Sequence, residues 1–91
     1  MESTEILKVS STSRCSSLAG AIANTVRLQD RVELQAVGAG AVNQALKAIA
    51  IARGYLAPSG KNLICIPSFI DINLDEDTKT GLRIVVKSVD L

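Results

Sequence analysis

VGAGAVNQALKAIAIARG, residues Val37–Gly54, joins two glycines one residue apart to an alanine-rich run with no charge before Lys47 and Arg53. Gly38 and Gly40 break the preceding segment. The apolar spacing after them predicts a helix from about Ala41 to Arg53, with Gly54 as its stop. Upstream, VELQAV (Val32–Val37) alternates strictly. Val32, Leu34 and Ala36 point one way, and Glu33, Gln35 and Val37 the other, as in a half-buried strand. A strand, a glycine turn and a helix therefore occupy the centre of the chain.

Toward the N-terminus, ILKV (Ile6–Val9) reads as a short strand. The run SSTSRCSS after it has six hydroxyl residues in eight positions and reads as a loop, with Ser16 or Ser17 as the N-cap of a helix over Ser17–Gln29. Leu18, Ala19, Ile22, Ala23 and Val26 share one face of that helix, and Ser16, Gly20, Asn24 and Arg27 the other. Asp30 and Arg31 mark a turn. Toward the C-terminus, Pro58 and SGKN form a turn before LICIPSFIDINL (Leu63–Leu74), a long strand with Ile64, Ile66, Ser68, Ile70, Ile72 and Leu74 on one face. Pro67 lacks an N–H and belongs at a sheet edge, at a bulge, or where the strand leaves the sheet. DEDTKTG (Asp75–Gly81) reads as a polar hairpin loop and LRIVVKSV (Leu82–Val89) as the return strand. The order βαβαββ predicts an α/β (α+β) two-layer sandwich: a four-stranded mixed sheet with two helices on one face, in a single domain over residues 1–91.

Composition narrows the chemistry. The 91 residues contain no His and no Trp, with one Phe and one Tyr, so the core is aliphatic and aromatic platforms for stacking bases are scarce. Without His, Cys15 and Cys65 have no partners for an ordinary zinc site, and they read as structural thiols. The commonest general base near neutral pH is missing too. Asp71 and Asp75 could be drawn as a carboxylate pair, but they fall on an exposed strand face, and the serine-rich run has no base to activate a nucleophile. The expectation is a non-enzyme with no metal and no cofactor. No apolar run approaches a membrane span and no leader pattern opens the chain, so no membrane partner and a cytoplasmic location are expected. Net charge is +1; residues 31–62 carry +3 and residues 63–91 carry −2.

GAGAVN departs from the dinucleotide fingerprint at Asn43, and no acidic residue stands about twenty positions on, so a dinucleotide site is not expected. Backbone N–H groups at Gly40, Ala41 and Val42 would still face outward at a helix start, where an anion is favoured; the alternative is a plain turn needing positive φ. On the helix, Val42, Leu46 and Ile49 can cover the sheet. Ala41, Ala45, Ala48 and Ala52, with Ile51 interrupting the polar sector, then form a bare flank that a second copy could cover. A homo-oligomer, most simply a dimer, is expected.

ILKVSS (Ile6–Ser11), SLAGAIA (Ser17–Ala23), QAVGAGAVNQALKAIAIARGYLAPSG (Gln35–Gly60) and NLICIPSF (Asn62–Phe69) resemble the diagnostic segments of the bacterial stage V sporulation protein S family, nearly end to end. The order of elements is also similar to the Alba chromatin proteins, and the carboxyl-terminal domain of the third translation initiation factor has a related arrangement. The first resemblance implies a role in endospore formation. The Alba likeness implies DNA or RNA binding by a dimer through the loop after the first strand, the turn into the second helix and the terminal hairpin. Those elements carry Arg14, Gly38, Gly40, Lys79 and Arg83 here, and Lys47, Arg53 and Lys61 are the other cations of the middle segment. Val37 and Ala39 stand where Alba proteins typically place arginines, and Asp75, Glu76 and Asp77 would repel phosphate at the hairpin tip. Few cations per protomer predict weak, salt-sensitive binding. The competing reading is a protein–protein interaction module in sporulation that does not bind nucleic acid.

Overall fold

The strict alternation around Leu34 does what period two requires: Val32, Leu34 and Ala36 are buried beneath two helices, and Glu33 and Gln35 face the other way. The computed structural model describes residues 4–74 and 76–91; Asp75, at the expected hairpin tip, lies outside them. The elements are β1 (Ile6–Val9), α1 (Cys15–Gln29), β2 (Arg31–Ala36), α2 (Ala39–Leu56), a 3-10 turn (Ala57–Ser59), β3 (Lys61–Leu74) and β4 (Asp77–Asp90). The sheet order is β1-β2-β4-β3, with β1 parallel to β2 and the other pairs antiparallel. The expected mixed four-stranded sheet is present, and β3, which holds Pro67, is an edge strand where a missing N–H costs least.

Several boundaries move, each for a local reason. Helix α1 starts at Cys15 with Arg14 in extended geometry at the N-cap and no side-chain cap bond, so neither Ser16 nor Ser17 caps it. The hydroxyls upstream bond the backbone of their own loop instead: Ser13 Oγ accepts the Ser10 N–H at 2.9 Å and Ser10 Oγ accepts the Thr12 N–H at 3.2 Å. Asp30 alone makes the turn, in the left-handed region at φ 66°, and Arg31 already belongs to β2. The polar segment expected as loop is largely strand. Thr78 pairs with Asn73 and Thr80 with Asp71, each threonine hydroxyl donating to the opposite side chain, at 2.9 and 3.2 Å. Asp71 is thus a cross-strand acceptor.

Gly54 does not stop α2. The helix continues through Tyr55 and Leu56, and the chain reverses at Gly60, φ 79°. Gly54 is exposed, and a Cβ added there meets nothing within 4 Å. Gly54→Ala is therefore expected to stabilise the fold by about 0.5–1 kcal/mol. The melting temperature followed by far-ultraviolet circular dichroism should rise by roughly 3–6 °C. A fall would show that α2 ends before residue 54.

The larger correction concerns the rotation of α2. Ala41, Ala45, Ala48 and Ala52 are at most 2% exposed, while Leu46 is 49% and Ile51 36% exposed. The four alanines are interior to one protomer, clustered with Ile22, Val26, Leu34 and Val86, and do not form the bare flank expected for a second copy. Small side chains let α2 settle against both α1 and the sheet, so the bulkier Leu46 is left outside. Ile49 is buried as expected and Val42 is half-buried. Of the two cysteines, Cys15 is half-buried with Sγ 3.9 Å from Gln44 O, and Cys65 is exposed on β3.

Both helices lie on one face of the sheet, leaving the opposite face open. Ile6, Ile64 and Ile66, on that open face, are about half exposed. At fourteen residues each, β3 and β4 would each span about 45 Å when extended.

Candidate nucleic-acid interface

The two glycines of the central segment have separate jobs. Gly38 caps α2 at φ 92°, a backbone conformation that side chains disfavour. Gly40, in the first turn, needs its missing Cβ, since an added one would stand 2.9 Å from Ser11 Cβ. The turn into α2 is thus pressed against the β1–α1 loop. Gln44 Nε2 fastens the contact by donating to Ser13 O at 2.8 Å. The sequence left open a choice between a plain turn and an anion contact at this turn. The geometry adds a third role, closure of one loop on another.

Beside this junction lies an open cleft of about 350 Å³, lined by Lys8, Val9, Ser10, Ser11, Gln35, Val37 and Ile72. No carboxylate among the described residues lines it. Lys8 reaches it because alternation in β1 sends Leu7 and Val9 toward the helices and Lys8 to the open face. Lys8 pairs with Gln35, and Gln35 with Arg83, so the three stand in one row across the sheet. Arg83 is partly neutralised, with Nε 3.9 Å from Glu33 Oε1. Glu33 Oε2 also accepts from Gln35 Nε2 at 2.8 Å.

The residues named from the sequence are spread from one end of the molecule to the other. Arg14, Gly38, Gly40 and Arg83 belong to the loop end just described, and Lys79 extends it along the hairpin, paired with Ile72. Lys47 is exposed midway along α2. Arg53 and Lys61 lie far from the loop end: fifteen residues of helix separate Gly38 from Arg53, about 22 Å. Arg53 Nε donates to Asn62 Oδ1 at 2.7 Å, and Lys61 Nζ stands 3.2 Å from Asp90 Oδ1. Sequence reading missed Lys8, Arg31 and Lys87, all on the open side of the sheet. The available signal was their strand parity: each alternates with residues that turn inward, Lys8 with Leu7 and Val9, Arg31 with Val32, and Lys87 with Val86.

The arrangement offers hydroxyls, helix-start N–H groups and scattered cations to an anionic polymer, but the Val42 N–H, expected to face outward, donates to Gly38 O at 3.1 Å because α2 begins at Ala39. No helix among the described residues is long and apolar enough to cross a membrane.

Comparison with known proteins agrees with this architecture. The structure of Alba from Thermoplasma volcanium superposes with a TM-score of 0.62 at 11% identity, covering 91% of this chain and 99% of that one. At that identity the likeness establishes a shared Alba-like fold. The family model for Stage V sporulation protein S matches residues 5–89, which spans both helices and all but the last residue of the sheet. The chain therefore belongs to the Stage V sporulation protein S family.

Proposed function

We propose that this protein is a non-enzymatic regulatory or architectural factor of sporulation that binds DNA or RNA weakly, as a homodimer, through the cleft at its loop end. The observation that supports the reading is the convergence there of the hydroxyl loop, the glycine turn and Lys8, with Arg14 and Arg83 near and no carboxylate among the described residues of the lining. Hydroxyls, backbone N–H groups and cations are the usual donors to phosphate oxygens, and they position a strand without reading its sequence. Lys8, Arg14 and Lys79 are the effective charges, Arg83 being shared with Glu33. Dimerisation through the outer side of α2, where Leu46, Ile51 and Tyr55 are exposed, would double that number.

Three phosphate contacts per protomer imply a slope of about −3 for log K against log salt on duplex DNA. Between 50 and 200 mM salt, affinity per protomer should fall by about fifty-fold or more. Arg14→Ala and Lys8→Ala should each weaken binding and reduce the slope by about one. Arg53→Ala, at the far end, should leave it unchanged. Fluorescence anisotropy with duplex DNA and RNA reads all of this, and no binding at 50 mM salt would remove the nucleic-acid reading. Ile51→Lys should lower the sedimentation coefficient if α2 forms the dimer interface. A protein–protein interaction module is the second reading. It is favoured by Phe69, 82% exposed, over a cleft of about 380 Å³ with Pro67, Ser68 and Leu82.

A further inference from the structure

The open face of the sheet is patterned. Paired residues fall in rows across the strands, and one row reads Ile6, Glu33, Val85, Ile66. The row on one side reads Lys8, Gln35, Arg83, Ser68; the row on the other reads Arg31, Lys87, Ile64. An apolar rib thus crosses the sheet with Arg31 and Lys87 on one flank and Lys8 on the other, beside Arg83, whose charge is shared with Glu33. Its one acid is covered: Glu33 is 13% exposed, and it is held by Gln35 at 2.8 Å with Arg83 beside it at 3.9 Å. Ile6 and Ile66 are each 50% exposed on the rib, and nothing among the described residues covers them.

The dimensions select the occupant. Rows two residues away on either side place the flanking cations about 13 Å apart, and a helix with its side chains is about 10–12 Å across. Four strands make the rib about 14 Å long, matching roughly ten residues of helix. From this geometry we infer that the open sheet face docks an acidic amphipathic helix of a partner protein, laid across the strands with its apolar stripe on Ile6, Val85 and Ile66. Glutamates or aspartates on both flanks of that helix would then meet Lys8 and Arg83 on one side and Arg31 and Lys87 on the other. A second copy of this chain does not fit, because α1 and α2 contain no Asp or Glu. A single-stranded nucleic acid fits poorly. The face carries no aromatic ring for bases to stack on: Phe69 shares the parity of buried Leu63 on the helix side, and Tyr55 lies on α2.

The test titrates the isotopically labelled full chain with a synthetic 14-residue peptide that has Leu at helical i, i+4, i+7 and i+11 positions and Glu on both flanks. Saturable amide shifts should map to Ile6, Val85, Ile66 and Lys87. A scrambled peptide, and one with Lys for each Glu, should leave those amides in place. Ile66→Glu and Lys87→Glu should each weaken the Glu peptide at least tenfold without lowering the melting temperature, and Arg31→Glu/Lys87→Glu should bind the Lys peptide instead. Absence of shifts on this face, equal shifts with the scrambled peptide, or undiminished binding by Ile66→Glu would each overturn the proposal. Displacement of the same amides by a 15-nucleotide oligouridine, lost in Ile66→Glu, would also overturn it by making the face a nucleic-acid platform. Arg14→Ala leaves this surface intact, so the loop-end reading stands or falls separately.

Discussion

Ala48→Asp is expected to unfold the protomer and not merely to dissociate an assembly. Ala48 is fully buried on α2, in the cluster that also holds Ile22, Leu34 and Val86. No buried polar or charged residue among those described offers a partner for a new carboxylate. An uncompensated buried charge costs about 3–5 kcal/mol, a large part of the roughly 5–14 kcal/mol that a domain of this length commands. The melting temperature should fall by roughly 15–30 °C, or no folded protein will be recovered. Ile51→Asp, on the exposed side of the same helix, should shift it by only a few degrees, in keeping with an effect of about 0.5 kcal/mol. Circular dichroism melts with sedimentation velocity separate the possibilities. An Ala48→Asp chain that melts near the parent but sediments more slowly would put the alanines between copies.

The same helix shows where the sequence was legible and where it was not. Period-two alternation in β2 and the four-residue recurrence in α1 each compared apolar with polar positions, and both faces came out right. In α2 apolar residues fall on more than one side, so the inner face had to be chosen by size. By size, Leu46 is a better core residue than Ala45. Burial is decided by distance, however, and where α2 meets both α1 and the sheet only alanine fits. The hairpin misled for a different reason. DEDTKTG has loop composition, and the pairing of Thr78 with Asn73 and Thr80 with Asp71 depends on partners across the strand that composition does not register.

The candidate site was half legible. Arg14 and the glycines stand in the elements that the Alba likeness implies, and the structure brings that loop and turn together through Ser11 and Gly40. Lys8 went unnoticed inside ILKV because a short strand was read only for its apolar content. Arg53 and Lys61 belong to a basic middle segment in sequence, but adjacency in sequence is not adjacency in space. Each lies about four helical turns from the glycine turn or beyond, in polar contacts of its own.

Gly81→Val carries the other large effect and ties the hairpin to the site. Gly81 is buried, and a Cβ there would stand 2.8 Å from Ala36 O, 2.9 Å from Val37 Cγ2 and 3.4 Å from Ile72 Cδ1. The nearest atom is the backbone carbonyl of the last residue of β2, which pairs with Leu82 and has little freedom to withdraw. Relief must come from lifting β4 off the end of β2. The cost is about 3 kcal/mol, at the upper end of ordinary overpacking, and the melting temperature should fall by roughly 12–24 °C. Gly81→Ala should lie between it and the parent. Gly54→Ala should move the opposite way, since there the Cβ meets open space and here it meets backbone. Ile72 and Val37 also wall the loop-end cleft, so the lifted hairpin should carry Lys79 and Arg83 away from Lys8. Nucleic-acid affinity at 50 mM salt should drop even at temperatures where the variant stays folded. If Gly81→Val melts with the parent, the hairpin does not rest on the end of β2, and the cleft loses the wall that defines it.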